Sequence, residues 1–357
     1  MRITSSYQYE RSVQTMQTLL GKLTDFQDQL STLKQIQKPS DSPLDSALVM
    51  NWKAYGVQVD RWQNNIKEIE NRYSYTEQNL THVKDLMLNV RDLVIRGGGS
   101  DALGPDEKEA VSKQMVQQAE EMLSALNAKY GGRFVLANAE VTNPADPSWK
   151  PFKVVVDDGT GSYVFKDSIS QAEEAVEQNH ADGKTDSKWM VVFEPKEFSE
   201  LSDSDKKTVS VEIGSHTTMP QVLAVEDYFT LKPITIDGNN YHTVDMFDKL
   251  YGFVNTLKNG GSLASADNTG KTGLDYTDEI LDKLTDSIAS IGARVQRLDT
   301  MTSFYNNVST NVESLRSSYE DADLAKTYTE YTKFNTSYQS LLKVIASITP
   351  LSLVNYL

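Results

Sequence analysis

Residues 48–94 read LVMNWKAYGVQVDRWQNNIKEIENRYSYTEQNLTHVKDLMLNVRDLV. Within them Leu48, Trp52, Tyr55, Val59, Trp62, Ile66, Ile69, Tyr73, Thr76, Leu80, Val83, Met87, Val90 and Val94 follow at alternating steps of four and three. All but Thr76 are large and apolar or aromatic. A mean step of about 3.5 residues keeps such side chains in one stripe along a helix, the seam of a coiled coil. The spacing predicts a helix over 44–96, roughly 75 Å long at 1.5 Å per residue. Ser40-Asp41-Ser42-Pro43 marks its start: a capping side chain, then a proline in the first turn. Gly97-Gly98-Gly99 marks its end.

The same period recurs on both sides. A shorter stripe, Val13, Met16, Leu20, Leu23 and Leu30, precedes the long helix. A third helix is expected from about Pro105 to Tyr130, with Val111, Met115, Met122 and Leu126 on one side. Asp106, Glu107 and Glu109 suit the positive end of its dipole. Near the C-terminus Leu281, Leu284, Ile288, Ile291, Val295 and Leu298 step by three and four, and Met301 then adds a stammer. Tyr305, Val308, Val312, Leu315 and Tyr319 resume the seam. A last helix carries Leu324, Tyr328, Tyr331, Phe334, Tyr338, Leu341, Ile345 and Ile348, and is expected to stop at Pro350.

The middle differs. No arginine lies between Arg133 and Arg294, and six of the ten prolines fall between Pro144 and Pro233. Strands are predicted at Lys153–Val156 and Tyr163–Lys166 around the turn Asp157-Asp158-Gly159-Thr160-Gly161-Ser162. Others are predicted at Trp189–Phe193, Val209–Ile213 and Ile234–Ile236, with helices near Ser168–Gln178 and Val244–Lys258. Residues 134–265 hold 21 Asp/Glu against 11 Lys, so most of the chain's negative charge sits there. The expected fold is mainly α with an inserted β-rich domain: long antiparallel helices or coiled coil built from both termini, and an outer domain that is α+β or all-β. The expected divisions are 1–40, a terminal helical segment for assembly and export; 41–133 with 275–319, a helical rod; 134–274, the outer domain; and 320–357, a C-terminal helical segment.

Composition narrows function. The 357 residues carry 35 Lys+Arg and 50 Asp+Glu, a net charge of −15. Nucleic acid and anionic membranes favour the opposite sign. No apolar run is long enough to span a bilayer, so membrane insertion is not expected. Cysteine is absent, which removes disulfides and thiol chemistry. The opening residues have no apolar core of a cleaved signal peptide. The four histidines show no metal spacing, and Gly159-Thr160-Gly161 lacks the rest of a dinucleotide fingerprint. No catalytic residue, metal or cofactor is predicted. An extracellular binding module carried on helical stalks stays open as an alternative.

The seams therefore carry the functional reading. Trp62, Ile69, Leu80, Val83, Ile288, Ile291, Val295 and Leu298 are expected to fold back on each other as the rod core. The stripes at the two ends are narrow and interleaved with Gln, Ser and Thr. Such helices are marginal alone in water and gain stability from partners. Val13, Leu20, Leu23, Leu341, Ile345 and Ile348 are the expected assembly interface.

Short motifs then point to a family. Met1-Arg2-Ile3-Thr4, Leu30-Ser31-Thr32 and Lys38-Pro39-Ser40-Asp41-Ser42-Pro43 resemble the flagellin-like family of bacterial flagellar axial proteins, where a stretch like LSTGKRINRPSDDP joins the first two helices. Leu33 stands where that family usually has glycine. Gly132-Arg133-Phe134-Val135-Leu136-Ala137 resembles its GRYLFAG, with Asn138 in place of the last glycine. Ile291–Leu298 is similar to VGARLNRL, Tyr319–Ala325 to IEDADLA, and Leu351–Leu357 to LSLLNYL. The opening and the Ser-Leu-x-x-Tyr-Leu ending look more like hook-associated members than like flagellin, the alternative within the family. The resemblance implies a structural subunit of the flagellum joining hook to filament, with its two terminal segments paired. It implies further copies in a ring, a neighbouring hook-associated protein and flagellin as partners, and an export chaperone at the C-terminal helices. It also implies type III export with an uncleaved N-terminus, which accounts for the missing signal peptide and suits a chain without cysteine.

Overall fold

The computed structural model describes residues 5–98, 103–136, 149–194, 210–221 and 224–354; of the side chains within these, those of 5–6, 133 and 348–354 are not described. Long helices dominate: α1 (Ser5–Thr32), α2 (Pro43–Gly98), α3 (Pro105–Leu126), α6 (Gly273–Glu320) and α7 (Leu324–Val354). Between α3 and α6 lie strands β1 to β9 and two shorter helices, α4 (Ile169–Ala181) and α5 (Asp245–Lys258).

The chain divides into two compact units. A terminal unit comprises Met1–Arg61 and Phe304–Leu357, and a central unit comprises Trp62–Ser303. The divisions fall inside α2 and α6, not at the 40/41 and 319/320 limits expected. The sheet region also does not separate from the helices at 134, because α3 and α5 pack on each other within the central unit.

In the central unit every member of the α2 stripe from Trp62 to Val94 is buried. Its polar member, Thr76, is satisfied locally: its hydroxyl donates to Arg72 O at 2.8 Å. On α6 the buried residues include Thr277, Leu284, Ile291, Leu298, Tyr305 and Val312, a spacing of seven. Six of the eight expected rod-core residues are buried, and Ile288 and Val295 are half-exposed. The reason is a small rotation of the seam. Ser287 takes the inner position, buried, with its hydroxyl on Asp227 O at 2.9 Å and Lys283 O at 2.7 Å.

The third helix ends at Leu126, short of the expected Tyr130. Lys129–Tyr130 (β1) pairs instead with Arg133–Phe134 (β2) across Gly131-Gly132, both at positive φ (58° and 83°). Only glycine adopts such a pair without strain. The motif beginning at Gly132 is thus a hairpin whose Phe134, Val135 and Leu136 are buried. Helix α7 runs past Pro350 to Val354. A proline one turn from a helix end forfeits a single backbone bond.

The sheet has five antiparallel strands in the order β4 (Tyr163–Lys166), β3 (Phe152–Asp157), β5 (Lys188–Phe193), β9 (Asn239–Val244), β8 (Leu231–Ile236). A separate hairpin joins β6 (Ser210–Gly214) to β7 (Thr217–Pro220). Helices α4 and α5 cover the sheet, so the outer region is α+β. Trp189 of β5 anchors both helices: its indole donates to Glu173 of α4, and its ring meets Tyr251 of α5 edge-on at 5.4 Å. The Asp157–Ser162 turn is self-contained. Asp158 accepts from Thr160 N, Thr160 Oγ1, Ser162 N and Lys184 Nζ. These bonds, that from Lys184 foremost, hold its carboxyl far below the usual range.

Candidate assembly site

The candidate site is the terminal unit, where the two ends of the chain meet. Helices α1 and α7 pack along each other, and Phe26 stacks on Phe334 at 5.5 Å. Lys34 pairs with Asp321 in an isolated antiparallel bridge, so the helices run in opposite directions. Along α7 the inward side runs through Thr327, Tyr331, Phe334, Tyr338, Leu341 and Ile345, at steps of four and three. Along α1 it runs through Met16, Leu19, Leu23, Phe26 and Leu30. Leu23 is buried, whereas Val13, Leu341 and Ile345 are half-buried. Leu20 is 50% exposed, on the outside of the pair. The expected stripe passed through Leu20, but alternating steps continued through Leu23 to Phe26 and Leu30 put Leu19 inside instead. The side chain of Ile348 lies outside the described residues.

The connector from α1 to α2 and the one from α6 to α7 interlock. Leu33 O accepts from Ala322 N at 3.0 Å, and Gln35 N donates to Glu320 O at 2.7 Å. The Glu320 side chain, 5% exposed, takes Lys34 Nζ at 2.5 Å and Lys53 Nζ at 2.8 Å. Burial raises its carboxyl, but the two lysines outweigh this and hold it below its ordinary value. Asp41 closes the first connector by accepting from Gln37 N at 3.1 Å and Lys38 N at 2.8 Å. Its carboxyl is lowered by these two backbone bonds. The sequence stretches 30–43 and 319–325, read separately as motifs, are two halves of one joint.

Leu33 has φ +61°, in the left-handed region. For a non-glycine residue this costs about 1–2 kcal/mol. Glycine removes that strain and regains it in part as unfolded-chain entropy. Leu33→Gly is therefore expected to stabilise the terminal unit by up to about 1 kcal/mol, read as a higher melting temperature. A lower melting temperature shows that the exposed leucine side chain holds the joint. A second expectation concerns acid. A carboxyl held low in the folded state contributes stability above its unfolded value, lost as pH falls through the folded one. Below pH ~4.5, the ordinary glutamate value, the joint should loosen. In Glu320→Gln this part of the acid sensitivity should vanish, which amide exchange at Ala322 and Gln35 measures.

Charge divides with the units. The terminal unit holds eleven Lys/Arg and eleven Asp/Glu, so the whole −15 resides in the central unit. Outward-facing apolar side chains are frequent on the terminal unit: Tyr328 is 63% exposed, Phe304 59%, and Met50 57%. Among the described residues no group of three or more acidic or histidine side chains is placed to hold a metal. Among them, too, no helix is long and apolar enough to cross a membrane.

Residues 274–357 match the family model of the bacterial flagellin C-terminal helical region. In structure, the chain is similar to a protein of Vibrio parahaemolyticus assigned as a flagellar hook-associated protein, at 14% identity and TM-score 0.50, covering 79% of this chain and all of that one. It also matches Bacillus cereus FlgL (12% identity, TM-score 0.47, 75% and 99% covered) and Xanthomonas campestris FlgL (14% identity, TM-score 0.45, 73% and 98% covered). No curated protein matches the sequence. The resemblance read from the motifs is thus found again in both comparisons. The fold is similar to that of the Vibrio protein, and the C-terminal quarter of the chain matches the flagellin C-terminal helical region.

Proposed function

We propose that this chain is the hook–filament junction protein, the third hook-associated protein of its flagellum. It acts as a structural adaptor and not as an enzyme. It leaves the cell through the flagellar type III channel and assembles through its terminal helices. A ring of copies then seats between a neighbouring hook-associated protein and the first flagellin subunits. A cytoplasmic chaperone holds the C-terminal helices before export.

The observation that carries this reading is the terminal unit itself. Two ends of one chain lock into a pair with no net charge and apolar side chains facing outward. Copies of such a unit associate without mutual repulsion, while the −15 central units repel and stay apart. Deletion of the gene tests the proposal. The expected phenotype is complete hooks, no filaments, and flagellin released into the medium. Filaments of normal length in the deletion strain overturn it. Purified chain that polymerises in bulk into filaments assigns it instead as flagellin.

A further inference from the structure

The joint of the terminal unit gathers three cations around one buried carboxylate. Glu320 Oε1 takes both Lys34 Nζ and Lys53 Nζ. Its second oxygen, Oε2, stands 3.6 Å from Arg316 Nε, too far for a hydrogen bond. Arg316 Nε is itself buried without a hydrogen-bond partner among the described residues, while Arg316 Nη2 holds Glu313 at 2.5 Å. The cations come from three segments: Lys34 from the first connector, Lys53 from α2 and Arg316 from α6. Lys34 reaches Glu320 only while the two connectors interlock. Arg316 precedes Glu320 by four residues on one helix, so these two share a face whatever the connectors do. A rotation of the Glu320 side chain toward Arg316 satisfies the guanidinium at the expense of Lys34.

The connector at this joint is held and not relaxed. Leu33 keeps its left-handed backbone, φ +61°, while its carbonyl accepts from Ala322 N. A cavity of about 390 Å³ lies between the connector and the first turns of α2, with Ile36, Pro39, Ser46 and Met50 among its walls. Ser46 Oγ is buried there without a hydrogen-bond partner among the described residues. Buried unsatisfied atoms of this kind mark a place where strain is stored. The helices beyond the joint are tied to each other instead. Helix α1 packs along α7, with Leu23 buried and Phe26 stacked on Phe334. Only residues 33–42 and 321–323 lead from this pair to α2 and α6.

We propose that Glu320 is a latch with two positions, and that its release turns the α1–α7 pair as one body about residues 33–42 and 321–323. Latched, Glu320 holds Lys34, and the backbone bonds from Ala322 N to Leu33 O and from Gln35 N to Glu320 O stay closed beside it. Released, Glu320 pairs with Arg316, Lys34 moves into water, Leu33 leaves the left-handed region and the connector shifts into the cavity. Discrete exchange of partners at a hinge is how packed helices change angle without unfolding. The use of the latch rests on the assembly reading above: release lets one chain seat its terminal pair at the angle that each of two unlike neighbours imposes. The latch itself belongs to the single chain and is tested there, apart from the deletion phenotype.

The full chain has no cysteine, so paired spin labels report single distances. One pair, Gln58→Cys with Ser337→Cys, spans the joint, and a second, Thr18→Cys with Ser337→Cys, lies within the α1–α7 pair; all three positions are exposed. With no other change, each pair is expected to show one dominant distance. Lys34→Gln should move most molecules of the first pair to a second distance and leave the second pair unchanged. Adding Arg316→Gln removes the partner of the released position and should shift the ratio of the two populations back by about tenfold, the worth of one charged hydrogen bond. An unchanged first distance in Lys34→Gln overturns the proposal. So does a change in the second pair, which shows the two helices separating instead of turning together. A released population that Arg316→Gln leaves untouched overturns the exchange of partners, and the latch with it.

Discussion

Ile69→Ala is expected to lower the stability of the central unit by about 2–4 kcal/mol. Ile69 is 1% exposed, and its neighbours on the stripe, Ile66 and Tyr73, are 0% and 1% exposed. The size of such a loss depends on how far the surroundings collapse into the space left. Here they are held. Tyr73 donates its hydroxyl to Pro220 O at 2.6 Å, and Asn65 donates to Glu212 O at 2.7 Å, so the helix is tied on both sides of the site to the β6–β7 hairpin. A wall fixed in this way relaxes little, which places the expected loss in the upper half of the range. Ile69→Val removes one methylene and should cost about 1 kcal/mol. Denaturant unfolding followed by tryptophan fluorescence reads both, because Trp62, Trp149 and Trp189 all lie in this unit. A loss below about 0.5 kcal/mol for Ile69→Ala contradicts the packing described.

The long helices were legible because burial and period agree over many turns. From Val59 to Val94 every residue of the α2 stripe is buried. Legibility failed where two phases of the same period compete. Leu19 and Leu20 are adjacent leucines, and either continues the stripe from Met16; spacing to Leu23 and Phe26 selects Leu19. Ser287 displaced Ile288 for another reason. A serine hydroxyl in a helix can return to the carbonyl four residues back, so it is buried at little cost, and hydrophobicity alone cannot show it. In the outer region β9 was missed because Asn239-Asn240-Tyr241-His242 reads as polar. The signal lay one step earlier: Asp237-Gly238, at φ 51° and 83°, is the two-residue turn that joins β8 to β9. The joint between residues 30–43 and 319–325 was not legible from spacing. It depends on single contacts nearly three hundred residues apart, such as Lys34 to Glu320.

Leu20→Asp is expected to abolish assembly while leaving the monomer folded. In the single chain Leu20 is half in solvent, outside the α1–α7 pair. Aspartate there costs only its weaker helix propensity, about 0.5 kcal/mol. Circular dichroism and melting temperature should barely change. In the proposed ring the same side chain is covered by a neighbouring copy. The leucine then contributes roughly 1.5–3 kcal/mol by burial, and the aspartate instead buries a charge without a partner. Each subunit repeats the loss, so a modest local term becomes prohibitive for the ring. Leu23→Asp is the control. Leu23 is buried inside the pair, so this change should loosen α1 from α7 in the monomer itself. Ile345→Asp, half-buried on α7, should fall between them. Complementation of the deletion strain, with secreted protein measured alongside motility, separates the cases. Leu20→Asp protein found in the medium without filaments supports the contact. Normal motility with Leu20→Asp shows that this side of α1 stays in solvent in the assembled structure, and the ring must then form through the apolar side chains of α2 and α6.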